Sequence, residues 1–555
     1  MNARLPNPLR ALSPALLGLA LLAGPPARGE GPWVRLDTTT FTVFSNADGE
    51  TTWQVGMELE TLRAALDSWM GGLAAPSPMP TSVYVFRDEE SFWPYKQGVN
   101  GDPRNIAGYF LAHPHGNFVA VNGSVGPSPS RVIYHEYLHH FVRHNLPGVP
   151  LWFNEGLAEL YGSFEVQGEE ALVGLPHERH VAYLRQQGLM PLEELLSLGP
   201  DSDLYNESSR RGIFYAQSWA LVHYLMVGDG MRGEQLIRFL DQVAAGVGTE
   251  EAFDEAFDVR FSTLEKELET YLAEPDLPVL QVPVGDLGAV ARGRLSRLPP
   301  AEVSYRLGDL AAHAAPSFPS FISRHFDRAL ELEPGHGGAW AGLGYVEDLQ
   351  SSHDEAVVLY EKALELAPGD YRTHYLEGRS RLQALALRGV EMPPTGGDLD
   401  SLNEAILSLE TSLELHGDFP EALATLGAAW VYHPQPGEGA LRVLDQARKW
   451  LPERMDVVFN LAVLASRLGN RARARRLLHR VLEPEAGPAL AEEARQAMAR
   501  ADLFYARDLA REGELEAAKA TLEILLEEDY DLPLAASAQA MLEALKDRED
   551  TSPRS

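Results

Sequence analysis

The sequence predicts a chain in two parts, a mixed α+β domain followed by an all-α solenoid of repeated helix pairs. Three observations carry that expectation. Short β-rich segments alternate with helical apolar spacing through the first half. The Pro- and Gly-rich stretch from Pro275 to Pro300 then breaks the periodicity. Beyond it the chain repeats itself: Ala329-Leu330-Glu331-Leu332-Glu333-Pro334 returns 34 residues later as Ala363-Leu364-Glu365-Leu366-Ala367-Pro368. A chain of 555 residues exceeds what one hydrophobic core usually serves, which agrees with this division.

Residues 1–29 are expected to be a leader. Arg4 and Arg10 precede the apolar run Ala11 to Ala23, and Ala27-Arg28-Gly29 places small residues at the two cleavage-determining positions. The run is too short to span a bilayer, and no later stretch reaches the roughly 18 apolar residues required. The mature chain is therefore expected to have no membrane span and to be exported, to a bacterial periplasm or the exterior. Removal of the leader takes away three arginines and no acids, which deepens the formal charge from −33 to −36. Such an acidic surface argues against nucleic acid as a partner and against docking to anionic membranes by bulk charge. With no cysteine, the chain has no disulfide and no thiolate metal ligand. Any metal must be held by His, Asp and Glu.

Residues 30–275 form the first expected domain. Phe41-Thr42-Val43-Phe44 and Ser82-Val83-Tyr84-Val85-Phe86 read as strands, and Glu50 to Met70 between them reads as a helix. Ala107 to Leu111 and Phe118 to Asn122 read as a hairpin, with His113-Pro114-His115-Gly116 at its turn, read as solvated in preference to the alternative that His113 and His115 are extra metal ligands. The hairpin could offer an edge strand to an extended peptide. The next helix can open at Ser128 or Ser130 and must end by Pro147 to Pro150.

That helix carries Tyr134-His135-Glu136-Tyr137-Leu138-His139-His140. Positions i and i+4 share a helix face, so His135 and His139 point the same way. Sixteen residues after His139 comes Glu155, in Leu151-Trp152-Phe153-Asn154-Glu155-Gly156. Two imidazoles and a carboxylate make a His₂Glu set that leaves zinc an open position for water. One zinc ion per chain is the expectation. Glu159, one turn beyond Glu155 on the same face, competes as the third ligand. Glu136, beside His135 and not needed as a ligand, reads as the general base. Val132, Leu138, Phe141 and Val142 supply the packing surface, so His140 and His144 are expected at the surface.

These residues resemble the gluzincins, the thermolysin-like metallopeptidases, in particular the peptidase MA-like domains of exported bacterial proteins and more remotely aminopeptidase N. In that group a His-Glu-x-x-His helix is followed by a second helix bearing Asn-Glu-Gly or Asn-Glu-Ala, and here Asn154-Glu155-Gly156 matches. The resemblance implies a zincin-like fold, Glu155 as third zinc ligand, and Glu159 as the carboxylate that orients a zinc-bound imidazole. It also implies an oxyanion donor on a later helix. Tyr215, in Phe214-Tyr215-Ala216-Gln217-Ser218-Trp219, matches the tyrosine of the aminopeptidase relatives, and His223 is the rival. The amino-terminal anchor strand of those aminopeptidases has no counterpart in Gly108 to Asn122, so the resemblance implies an endopeptidase-like enzyme acting on peptide or protein substrates. His177 and His180 are read as structural. Leu175 to Leu195 and Gln217 to Leu272 are helical by spacing.

Residues 276–302 are expected as a linker and 303–547 as the repeats, with 548–555 a polar tail. Trp340, Leu343, Gly344, Ala356, Tyr360, Ala363 and Pro368 fall at tetratricopeptide spacings. The spacing returns at Leu426-Gly427, Ala440, Leu444 and Ala447, at Leu461-Ala462, Ala474 and Leu478, and at Ala506, Ala518 and Leu522. Helix pairs of this kind stack because none buries its apolar face alone. The array resembles other tetratricopeptide domains, which implies a protein partner on its concave face. A binding scaffold with a degenerate peptidase domain is the alternative reading of the whole chain.

Overall fold

The computed structural model describes residues 32–550 except 97–102, 125–127, 147, 168–169, 200–207, 229, 285–293, 390–393, 438, 453, 482–494, scattered positions from 498 to 513, and 528–531. The expected leader lies outside the described residues.

The chain opens with a hairpin, β1 (Val34–Asp37) and β2 (Phe41–Ser45), followed by α1 (Gly49–Trp69), β3 (Thr81–Phe86) and the short α2 (Glu89–Phe92). Asp48 caps α1 by accepting from the Thr51 backbone N–H. A second hairpin, β4 (Gly108–His113) and β5 (Gly116–Asn122), leads into α3 (Ser128–Asn145) and α4 (Leu151–Gly162). Three short strands that the sequence pattern did not suggest, β6 (Glu165–Gln167), β7 (Glu170–Val173) and β8 (Leu280–Pro283), form an antiparallel sheet. Between β7 and β8 come α5 (Glu178–Gln187), α6 (Leu192–Ser197), α7 (Ser208–His223), α8 (Gly230–Ala244), α9 (Thr249–Phe257) and α10 (Phe261–Ala273). The two long helical stretches expected here are thus broken into shorter helices, at Gly188 to Pro191 and after His223, where the chain passes through a π turn, Tyr224–Gly228.

The main sheet has the order β4-β5-β3-β2-β1-β9, where β9 is Ser296–Arg297. β2, β3 and β5 run parallel, and β4 is an antiparallel edge. The segment expected as a linker therefore supplies β8 to one sheet and β9 to the other.

Both faces of the main sheet are buried. Successive strand residues point to opposite faces. Val43, Val83, Val85, Val119 and Val121 join one core with Leu59, Leu62 and Leu66 of α1 and Ile133, Tyr137 and Leu138 of α3. Phe44, Tyr84, Phe86, Phe118 and Ala120 join a second core with Leu307, Leu310, Ala311 and Phe326. The latter residues belong to α11 (Pro300–Ala314) and α12 (Pro319–Leu332), the first helix pair of the repeats. The Tyr84 hydroxyl donates to the Arg306 carbonyl oxygen at 3.1 Å, and the Arg306 guanidinium lies 4.9 Å from the Phe44 ring centre. The sheet is thus the middle layer of three.

The pairs continue as α13 (Gly337–Leu349) with α14 (His353–Leu366), α15 (Tyr371–Leu387) with α16 (Gly397–Leu415), α17 (Pro420–Tyr432) with α18 (Gly439–Trp450), and α19 (Met455–Arg467) with α20 (Arg471–Val481). A last pair, α21 (Leu515–Glu527) and α22 (Leu532–Asp550), closes the described chain. Small residues stand where the helices of a pair cross: a Cβ on Gly344 would lie 2.8 Å from the Tyr360 ring. This is an all-α helix-pair solenoid of the tetratricopeptide type. Among the described residues no helix is long and apolar enough to cross a membrane.

Candidate metal centre

α3 lies against the sheet through Ile133, Tyr134, Tyr137, Leu138, Phe141 and Val142, all buried, and this leaves His135, Glu136 and His139 half-buried on another face. α4 is anchored by Trp152, Phe153, Leu157 and Leu160, which turns Glu155 inward, 6% exposed. Gly156 is the condition for that placement. A Cβ there would lie 2.4 Å from the Ser218 carbonyl oxygen of α7, so α4 and α7 pack almost backbone to backbone.

The structure brings His135, His139 and Glu155 together. His135 Nε2 and His139 Nε2 are 3.1 Å apart, and Glu155 Oε2 lies 3.5 Å from the first and 3.4 Å from the second. Burial opposes the Glu155 carboxylate, but hydrogen bonding from and the charges of both histidines outweigh it and hold its pKa down to about 2. Burial also opposes charge on His139, where bonding to and the charge of Glu155, then Asn154 and Glu136, win and raise the pKa. Glu136 is half-buried, and its charge acts on this cluster.

The imidazoles are oriented from behind. His139 Nδ1 lies 3.0 Å from Asn154 Oδ1, which can only accept, so Nδ1 carries a proton there and Nε2 is the nitrogen turned toward Glu155. His135 Nδ1 faces Glu159 Oε1 at 3.6 Å, a looser version of the same arrangement. The Asn154-Glu155-Gly156 pattern alone does not assign Asn154 this role; its position beside Glu155 is the signal that could have found it.

Glu159 does not join the first cluster. It points to a second, with His177 and His180, where its Oε2 lies 3.4 Å from His180 Nε2. The two imidazoles stack with centroids 3.7 Å apart. His177 and His180 thus have the carboxylate neighbour that sequence reasoning did not find for them. Burial, then the neighbouring His180, lowers the pKa of His177 to about 4.

Tyr215 lines a cleft of about 370 Å³ together with Arg131, His135, Glu159, Gly162 and His177. Its ring centre is 6.5 Å from that of His135. The rival His223 is turned away: Nδ1 lies 2.7 Å from the Tyr271 hydroxyl and Nε2 lies 2.7 Å from the Gly174 carbonyl oxygen. His140, expected at the surface, is buried with Nε2 within 3.1 Å of Ser77 Oγ and 3.3 Å of Asn117 Nδ2, and burial lowers its pKa to about 3.

No family model and no curated protein matches the chain. Among solved structures it is similar to YrrB, a tetratricopeptide-repeat protein with an unusual peptide-binding site, at 21% identity over 35% of this chain and 91% of that one, TM-score 0.29. A thermophilic repeat protein of Thermus thermophilus is 16% identical over 36% of this chain and 98% of that one, TM-score 0.27. A tetratricopeptide-repeat protein of Parabacteroides merdae is 13% identical over 57% of this chain and 100% of that one, TM-score 0.24. The molecule described by its own elements is a mixed α/β domain with a His₂Glu donor cluster, fused to a repeat solenoid.

Proposed function

We propose that this protein is an exported zinc-dependent peptidase, endopeptidase-like, whose repeats bind a partner or substrate protein. The observation that carries the catalytic part is the spacing of His135 Nε2, His139 Nε2 and Glu155 Oε2, at 3.1, 3.4 and 3.5 Å. Ligand atoms about 2.1 Å from a tetrahedral ion stand roughly 3.4 Å from one another, so the donor set suits one zinc ion and leaves a fourth position. Zinc held there would supply a water of lowered pKa and polarise a carbonyl.

The chain's own residues do the rest. Glu136 takes the proton of the attacking water and returns it to the departing amine nitrogen. The Tyr215 hydroxyl, on the wall of the cleft, donates toward the carbonyl oxygen as that oxygen gains charge. Asn154 and Glu159 keep the two imidazoles in place. The edge strand β4 has one side unpaired in the sheet order, which suits an extended peptide laid along it.

The second reading is a protein-binding scaffold without turnover, and the helix-pair array favours it, because such a solenoid presents an extended surface whatever the first domain does. Zinc content and cleavage of a peptide library separate the two. The peptidase reading expects about one zinc at the His₂Glu cluster and hydrolysis that falls roughly 10²-fold or more in Glu136→Gln. Stoichiometric zinc with hydrolysis unchanged in that variant would remove Glu136 from its role. No hydrolysis by the zinc-loaded wild type, with partner capture intact, would leave the scaffold.

A further inference from the structure

We propose that His113, His115 and His313 form a second metal site, for a divalent transition-metal ion of the zinc class, at the junction between the main sheet and the first repeat helix. The inference stands apart from the reading of the His₂Glu cluster. His113 ends β4, His115 sits in the hairpin turn, and His313 lies on the last turn of α11. The ring centres are 4.4, 4.5 and 4.9 Å apart, and one nitrogen from each ring lies within 4.8 Å of the others.

The hairpin turn expected to be solvated is covered at His115 and Gly116, while His113 is half-buried and Pro114 exposed. His115 is 1% exposed and neither of its ring nitrogens has a hydrogen-bond partner; His113 Nδ1 is also buried without one. A neutral imidazole carries one N–H and one lone pair, and leaving both unmatched in a closed site is expensive. His313 is oriented for ligation: its Nδ1–H donates to the Asp309 carbonyl oxygen at 2.6 Å, so Nε2 carries the lone pair. Phe118 stacks on that ring at 4.2 Å and Tyr345 covers it from the repeats.

The surrounding charges balance. Arg372 makes a fork on Asp309 at 2.6 and 3.0 Å, and Arg379 pairs with Asp348 at 2.9 Å. Arg372 also reaches His313 Nε2, at 3.4 Å, the longest of its contacts here and the one a metal ion would replace. Three neutral nitrogen donors suit zinc, nickel or copper and do not suit calcium or magnesium, which take oxygen. A metal here would staple β4–β5 to α11, fixing the sheet edge against the solenoid.

The test uses the purified protein with His135→Ala and His139→Ala, which removes the first cluster at half-buried positions. The variant is stripped with chelator, given Zn²⁺, dialysed, and measured by mass spectrometry of the metal. About one equivalent of zinc is expected to remain and to be lost when His115→Phe is added, with folding checked by circular dichroism. If the Phe variant does not fold, His113→Asn at the half-buried end of β4 takes its place. A folded His135→Ala/His139→Ala protein without zinc overturns the proposal. So does zinc that persists after His115→Phe or His113→Asn, which would move it to Glu159, His177 and His180.

Discussion

Replacing Gly156 by alanine probes the link between packing and the metal cluster most directly. The added Cβ would meet the Ser218 carbonyl oxygen at 2.4 Å, Val222 Cγ2 at 2.6 Å and the Ser218 carbonyl carbon at 2.7 Å. Two of these are backbone atoms of α7 and do not move aside by a rotamer change. Reaching even the 3.0 Å that Cβ atoms respect requires α4 and α7 to separate by about 0.6 Å. Overpacking of this kind costs about 1–3 kcal/mol. Glu155 is the adjacent residue, and ligand positions tolerate only about 0.2 Å before a site degrades. Gly156→Ala is therefore expected to lower the midpoint of urea unfolding and to weaken zinc binding roughly tenfold or more, measured by competition with a chromophoric chelator. Wild-type stability together with wild-type zinc affinity would refute the claim that this backbone approach sets the position of Glu155.

Asn154→Ala removes the acceptor that fixes the His139 tautomer, and zinc affinity should fall by about 10–100-fold with little change in unfolding midpoint; a large stability loss instead would make Asn154 a packing residue. Tyr215→Phe should cut kcat by roughly 10²–10³ while KM stays close to wild type, and an unchanged kcat would take Tyr215 out of the reaction. Glu302 is opposed by burial, yet bonding to His336 and the Arg306 charge hold its pKa down from 4.5 to about 2. Because that pKa is depressed in the folded protein, its contribution is present above pH 4.5 and lost as pH falls through about 2. The stability gap between wild type and Glu302→Gln should be about 1–3 kcal/mol at neutral pH and close over that window, and a gap that does not change with pH would contradict the assignment.

How far the site could be read in advance follows from the range of the contacts involved. His135 and His139 were legible because four residues on a helix fix a direction regardless of the rest of the chain. The repeats were legible for a related reason, since each crossing pair such as Gly344 and Tyr360 lies within one unit. The burial of His115 was not, because the covering helix lies some two hundred residues away and nothing in His113-Pro114-His115-Gly116 announces it. The same holds for Glu159, whose neighbour His180 comes from a different helix. β6 and β7 were missed because three- and four-residue strands carry too little alternation to register against a loop.

The two parts of the chain meet as layers and not as beads on a linker. Phe44, Tyr84, Phe86 and Phe118 project from the strands whose opposite face supports the helix of His135 and His139, and α11 and α12 are what bury them. The same four positions alternate with Val43, Val83, Val85 and Val119, so the strands read as continuous apolar runs, the pattern of a sheet covered on both sides. An isolated first domain would expose a contiguous aromatic face, which soluble domains avoid. It follows that the first helix pair is part of the α/β domain's own core, with Tyr345 of α13, Tyr375 of α15 and His416 adding further contacts to the first domain. Tyr84 and Arg306 join the strand layer to this first pair directly. The His₂Glu helix lies on the other face of that layer, one sheet thickness away.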